Sequence, residues 1–171
     1  MNDGMRMGLA SPRVGLGVWL VSSLIIVLGC QYGLEMHLAD GSTFEDLRFE
    51  LFDDKSSSGI KIESVYVYQC SDIREHGTYP GAAVALWAAT TEPGISEASA
   101  LTGATLRYGE SGHGLVSMVG PIQLTKPGCF VVRAYAWDYR NTVRGASLGF
   151  KVAENGTLSE MKDSTLRKLF T

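Results

Sequence analysis

The hydrophobic pattern of the chain predicts about seven short β-strands separated by turn residues. Apolar residues alternate with other side chains most clearly in residues 60–70 and 129–137, which are also rich in β-branched and aromatic residues. The further predicted strands are residues 44–52, 82–90, 104–108, 115–124 and 146–152. Turn signals recur at intervals of roughly eight to twelve residues, which is typical of an all-β antiparallel sandwich.

Three segments leave a choice between strand, helix and coil. The apolar spacing of residues 44–52 also permits a helical turn, and residues 82–90 could be helical, although Pro93 and Gly94 bound that run closely. Residues 156–171 place apolar side chains among charged ones, which predicts a short amphipathic helix or a tail.

The first 30 residues have the order of a secretory signal. Arg6 and Arg13 precede residues 14–28, which carry no charge, and Gly29 and Cys30 follow. A membrane-spanning helix needs about 20 apolar residues, so this run is short for a permanent span. We therefore expect an exported protein with a signal peptide over residues 1–29.

The residues Val27-Leu28-Gly29-Cys30 resemble the lipobox of bacterial lipoproteins, which consists of an aliphatic, a variable and a small residue before a cysteine. The resemblance implies cleavage before Cys30, acylation of its thiol and new amine, and attachment to a bacterial membrane. By analogy with enterobacterial lipoproteins, Gln31 in place of Asp implies sorting to the outer membrane, facing the periplasm. An ordinary signal peptide or an uncleaved anchor, with Cys30 incidental, remains the alternative.

Downstream of Cys30 we expect a tether over residues 30–43, a β-sandwich over residues 44–155 and a tail or short helix over residues 156–171. Residues 121–152 are similar to the closing strands of immunoglobulin-like and transthyretin-like sandwiches. The matching residues of their Leu-x-x-Pro-Gly-x-Phe/Tyr-x-Val-x-Ala pattern are Leu124, Pro127, Gly128, Phe130, Val132 and Ala134. This resemblance implies a fold and not a function.

Cys70 and Cys129 are the two cysteines left after acylation of Cys30, and in an exported domain an even pair predicts a disulfide. Such a bridge closes a long loop and stabilises by about 4 kcal/mol on the chain-entropy model. Two buried thiols or a metal pair are the alternatives, but no CxxC or histidine spacing supports zinc. Together with Trp87, the pair follows the Cys-Trp-Cys order of immunoglobulin domains.

Charge and motif content argue against several functions. The formal net charge is −3 over 171 residues, whereas nucleic-acid binding needs a clustered basic surface. Residues 109–113 are similar to the G-x-S-x-G nucleophile elbow around Ser111, but His113 stands in place of the second glycine. Asp72, Glu75 and His76 fall in a predicted loop over residues 71–80, where a solvated loop is favoured over a cation site. We therefore predict that the protein is not an enzyme and that it holds no cofactor and no metal ion.

The remaining candidate is a face of the strand at residues 129–137. Arg133, Tyr135, Trp137 and Tyr139 share one parity, opposite the apolar residues expected in the core. Such an aromatic and arginine strip is typical of protein-binding hot spots and also suits sugar stacking. The alternative is that this face packs on the C-terminal segment or on a second sheet.

These features predict a lipid-anchored, non-catalytic β-sandwich that binds a periplasmic or surface protein partner. A second hypothesis is an inhibitor or glycan-binding lipoprotein that acts on a cell-wall enzyme or sugar, because Tyr68-Gln69-Cys70 is similar to the Tyr-x-Cys start of lysozyme-inhibitor lipoproteins. A hydrolase that uses Ser111 or His113 is the third hypothesis.

Overall fold

The computed structural model describes residues 33–53, 60–91, 104–112, 114–137 and 142–171. The strands of these residues are β1 (Glu35–Leu38), β2 (Arg48–Phe52), β3 (Lys61–Gln69), β4 (Trp87–Thr91), β5 (Ala104–Arg107), β6 (Leu115–Val119), β7 (Gly128–Trp137), β8 (Val143–Val152) and β9 (Leu158–Glu160). The helices are α1 (Cys70–His76) and α2 (Asp163–Arg167), with 3-10 turns at Ala82–Val84 and Lys168–Phe170. No helix in these ranges has the length and apolar content that crossing a membrane requires.

The strands form two antiparallel sheets. The larger has the order β6-β4-β3-β7-β8-β9 and the smaller the order β1-β2-β5. The predicted all-β antiparallel sandwich is therefore confirmed. The finer likeness to immunoglobulin-like and transthyretin-like domains remains a resemblance of the sequence.

The main core lies between the two sheets. Phe49 and Leu51 of β2 and Leu106 of β5 are buried against the inner face of the larger sheet, and the rings of Phe49 and Phe150 have centroids 5.8 Å apart. In β7, Phe130, Val132, Ala134 and Ala136 all belong to this core. The parity predicted for this strand is therefore confirmed, and its other residues point to the outer face.

A second layer covers one end of the outer face of the larger sheet. Ile73 of α1 and Leu166 and Leu169 of the C-terminal segment are buried there with Tyr68 and Val131 of the sheet. The C-terminal segment lies close to β8 at Gly149. A Cβ added at this glycine would be 3.0 Å from Met161 Sδ and 3.2 Å from Leu166 Cδ1. The short C-terminal helix expected from the sequence is thus present, and its apolar side seals the sheet.

Three segments differ from the sequence prediction. Glu35–Leu38 forms β1 within the predicted tether, so the sandwich begins before residue 44. Cys70–His76 forms a helix where a loop was predicted, and it ends at Gly77, whose left-handed backbone (φ 64°) lets its N–H donate to Ile73 O at 2.9 Å. Leu158–Glu160 adds a ninth strand beyond the predicted end of the sandwich.

The predicted disulfide between Cys70 and Cys129 is present, with the two Cα atoms 5.4 Å apart. It joins the start of α1, directly after β3, to the neighbouring strand β7, on the outer side of one sheet. Trp87 lies in the core on the opposite side of that sheet, with its ring 5.5 Å from that of Tyr108. Cys70, Trp87 and Cys129 therefore share only their order with the immunoglobulin signature, in which the tryptophan packs against a bridge between the two sheets.

Candidate partner-binding surface

The strand register assembles the outer face of the larger sheet at the end that α1 and α2 do not cover. Tyr66 of β3 pairs with Arg133 of β7, which pairs in turn with Ser147 of β8. Along β7 the next outward residues are Tyr135 and Trp137. Three adjacent strands therefore bring an arginine and several aromatic rings onto one surface.

We call this surface the outer patch and define it by Tyr66, Arg133, Tyr135, Trp137 and Val143. Trp137 and Val143 are cross-strand partners that are 38% and 39% exposed, and the other three residues are half-buried. The face predicted from the sequence thus contains Arg133, Tyr135 and Trp137 together. The C-terminal segment packs on the neighbouring part of the same face, where Tyr66 and Tyr79 border it.

The Arg133 guanidinium is held between two tyrosine rings. Its carbon Cζ lies 4.9 Å from the ring centroid of Tyr79 and 4.7 Å from that of Tyr135. Its Nη1 donates to Ser147 Oγ at 2.8 Å, and Tyr79 Oη donates to the same oxygen at 2.7 Å. Cation–π contact and hydrogen bonding together fix the position of the positive charge.

A glycine opposite Tyr135 makes room for this arrangement. Gly145 pairs with Tyr135 across β7 and β8, and a Cβ added at Gly145 would overlap Nη2 and Cζ of Arg133. The guanidinium therefore occupies the space that a side chain at position 145 would fill. Any side chain at position 145 would displace it from between the rings.

Neighbouring tyrosines support the outer patch from the covered end. The Tyr66 ring stacks on that of Tyr68 at 6.1 Å and meets that of Tyr135 edge-on at 6.3 Å. Tyr68 is buried and donates its hydroxyl to Pro80 O at 2.7 Å, and burial raises the pKa of this phenol. The Tyr79 ring in turn meets Phe170 of the C-terminal segment at 5.0 Å. The rings of the outer patch thus rest on a packed aromatic layer.

The other candidate residues are not drawn together into a reactive site. Ser111 Oγ lies 3.5 Å from Ser117 Oγ, and its proposed companion His113 falls outside the described residues. Asp72, Glu75 and His76 lie on α1, where His76 Nδ1 is 2.8 Å from the Asp72 carbonyl oxygen. In the part of the chain that the structure describes, no three potential metal ligands cluster.

Two predicted functional residues, Cys30 and Tyr139, lie outside the described residues, as does the whole signal segment. The sequence also gave no indication of Tyr79, Gly145 and Ser147. Tyr79 precedes Pro80-Gly81 and carries only a turn signal, while its hydrogen bond to Ser147 spans 68 positions along the chain. A contact of that separation follows from strand order, which local patterns do not determine.

Comparison of the chain with protein-family profiles, with curated proteins and with solved structures found no match. The function of this chain is therefore inferred from the geometry of the outer patch and from the sequence.

Proposed function

We propose that this chain is a lipid-anchored protein of the bacterial cell envelope whose non-catalytic sandwich binds a protein partner through the outer patch. The observation that carries the proposal is the exposed pair Trp137 and Val143 beside a fixed arginine, on a sheet face whose other end is covered by α1 and the C-terminal segment. Exposed tryptophan, tyrosine and arginine side chains in one patch are the residue types that dominate binding hot spots.

The rigidity of the outer patch supports the same proposal. Tyr135 and Arg133 are already held by ring contacts and by Ser147, so binding would order few additional side chains. Association loses about 0.5–1.5 kcal/mol for each mobile side chain that it immobilises, and a preorganised surface avoids part of that loss.

The proposed anchor is the acylated Cys30, on the resemblance of residues 27–30 to a lipobox. More than one acyl chain is needed for stable attachment, which modification of both thiol and amine would supply. The tether to the first strand would be short, because β1 begins at Glu35. The sandwich would then act close to the membrane surface.

The first test compares partner capture by chains that differ only at the patch. After crosslinking in membranes of the native host, we expect Tyr135→Ala and Trp137→Ala each to reduce recovery of one defined envelope protein at least about tenfold, the effect of losing a hot-spot contact. Met118→Ala is the matched control, because Met118 is 55% exposed on the edge strand β6, which β4 separates from β3 and the patch. Circular dichroism checks that each variant is folded. Equal recovery of the envelope protein with all three variants would rule out the outer patch as the binding surface.

A glycan or cell-wall enzyme is the second candidate ligand. Tyr135 and Trp137 present rings on one face, and flat aromatic surfaces also stack on sugars. A lysozyme-inhibition assay with the Cys30→Ala chain tests whether it inhibits a cell-wall enzyme, and the absence of inhibition at micromolar concentration would remove that hypothesis.

A further inference from the structure

We infer that the outer patch recognises a carboxylate, and that Arg133 is the residue that binds it. The inference deepens the proposed function, because the carboxylate would belong to an acidic side chain of the partner. It rests on two observations about Arg133: some of its N–H donors have no acceptor, and its charge has no ion-pair partner, among the described residues.

Arg133 has more donors than its surroundings accept. A guanidinium carries five N–H donors, and Ser147 Oγ accepts one of them, from Nη1. Nε is buried and has no acceptor among the described residues. Because Nε is enclosed, an external acceptor would meet the guanidinium through the remaining N–H groups of Nη1 and Nη2.

The positive charge of Arg133 is not neutralised by an ion pair within the described ranges. Glu63 is the acidic residue on β3, β7 and β8, and it forms no ion pair with Arg133. The smaller sheet shows the contrast, because Asp46 lies 2.7 Å from Arg107 Nε and 3.4 Å from Arg48 Nε. Arg133 is instead stacked on rings, and no carboxylate of the described residues pairs with it.

The geometry favours a carboxylate that is attached to an apolar group. Arginine binds the planar carboxylate through parallel N–H donors, and the flanking rings of Tyr79 and Tyr135 already hold the guanidinium in one plane. Trp137 and Val143 extend the surface beside it with exposed apolar area. Because the whole chain has a formal charge of −3, its overall field does not attract acids, and carboxylate binding would depend on the local charge of Arg133.

The test uses a matched pair of probes, benzoate and benzamide, which share a ring and differ in charge. Titration of the full-length Cys30→Ala chain in detergent is followed by the side-chain Nε–H resonances of arginine in nuclear magnetic resonance spectra at constant ionic strength. We expect benzoate to shift the Arg133 resonance saturably, with an affinity at least about tenfold higher than that of benzamide, which corresponds to about 1.4 kcal/mol. The Arg107 resonance serves as the internal control, because Asp46 already pairs with it.

Two variants distinguish carboxylate binding by the planar Arg133 guanidinium from attraction by any positive charge. Arg133→Lys keeps the charge but loses the planar donors, and Gly145→Ala keeps Arg133 but fills the space that its guanidinium occupies. Both should lower benzoate affinity about tenfold or more, whereas Arg107→Lys should not. If Gly145→Ala does not fold, Arg133→Lys alone decides, with spectral dispersion as the check of its fold.

Equal benzoate and benzamide affinities, or the same benzoate shift at Arg133 and Arg107, would overturn the inference. Partner capture is a separate readout, so the two proposals can fail separately. Capture that depends on Trp137 but is unchanged by Arg133→Lys would overturn the carboxylate inference and leave the partner-binding proposal standing. Benzoate binding without any captured partner would support the carboxylate site and count against a protein partner.

Discussion

Single residues of the outer patch show how a pattern in one strand becomes a surface. The parity of β7 alone predicts that Arg133, Tyr135 and Trp137 share a face, because strand side chains alternate with a period of two. What fixes Arg133 comes from elsewhere: Tyr79 reaches it from the segment after α1, and Gly145 makes space on β8. The sequence therefore identifies the residues of the face, and the fold determines which of them are held rigid.

The buried hydroxyl of Tyr108 predicts how the stability of the fold depends on pH. Its hydroxyl donates to Ile122 O at 2.6 Å, and burial raises the pKa of Tyr108 to about 12, from 10.0. Between these two values the unfolded chain loses the proton and the folded chain keeps it, so stability falls as the pH rises from 10 to 12. We expect Tyr108→Phe to reduce this slope and, at pH 7, to lower the free energy of unfolding by about 1 kcal/mol through the lost hydrogen bond.

Urea unfolding at several pH values between 7 and 12 measures both effects. Tyr68 remains as a second buried phenol, so some alkaline dependence should persist in the variant. The same slope in Tyr108→Phe and the unchanged chain would contradict the prediction.

At the scale of elements, long alternating strands are predictable and short elements are not. β3 and β7 have nine and ten residues, enough for alternation to be visible. β1 has four residues of which Met36 alone is buried, and α1 buries Ile73 and Cys70 in seven residues, too few to define a helical period. These short elements form because tertiary packing and the disulfide hold them, and a single-sequence pattern contains no record of that packing.

The disulfide is the covalent link between two such elements, since it joins the start of α1 to β7. We expect the double variant Cys70→Ala/Cys129→Ala to lose about 2–5 kcal/mol of unfolding free energy, because the bridge constrains a long loop of the unfolded chain. Urea unfolding of the purified chain under oxidising conditions measures the loss. Cys30→Ala is the matched control and should leave the midpoint unchanged, and an unchanged midpoint in the double variant would show that packing alone holds α1 in place.

At the scale of the whole molecule, the two sides of the larger sheet have different roles. Its inner face forms the core with the smaller sheet, and its outer face divides into an end covered by α1 and the C-terminal segment and an end that carries the outer patch. Composition and turn spacing were sufficient to predict the sandwich. The division of the outer face depends on where residues 161–170 dock, which the sequence left open between helix and tail.

Photo-crosslinking in the native host tests whether the anchored sandwich meets its partner through the outer patch. A photoreactive phenylalanine analogue placed at Val143 lies beside Trp137 without removing a ring, and the same analogue at Met118 is the exposed control. We predict one discrete adduct with an envelope protein from position 143, none from position 118, and a strong decrease of the adduct in Cys30→Ala. An adduct of equal yield from both positions would contradict partner binding through the outer patch, and an adduct that Cys30→Ala leaves unchanged would contradict the role of the anchor.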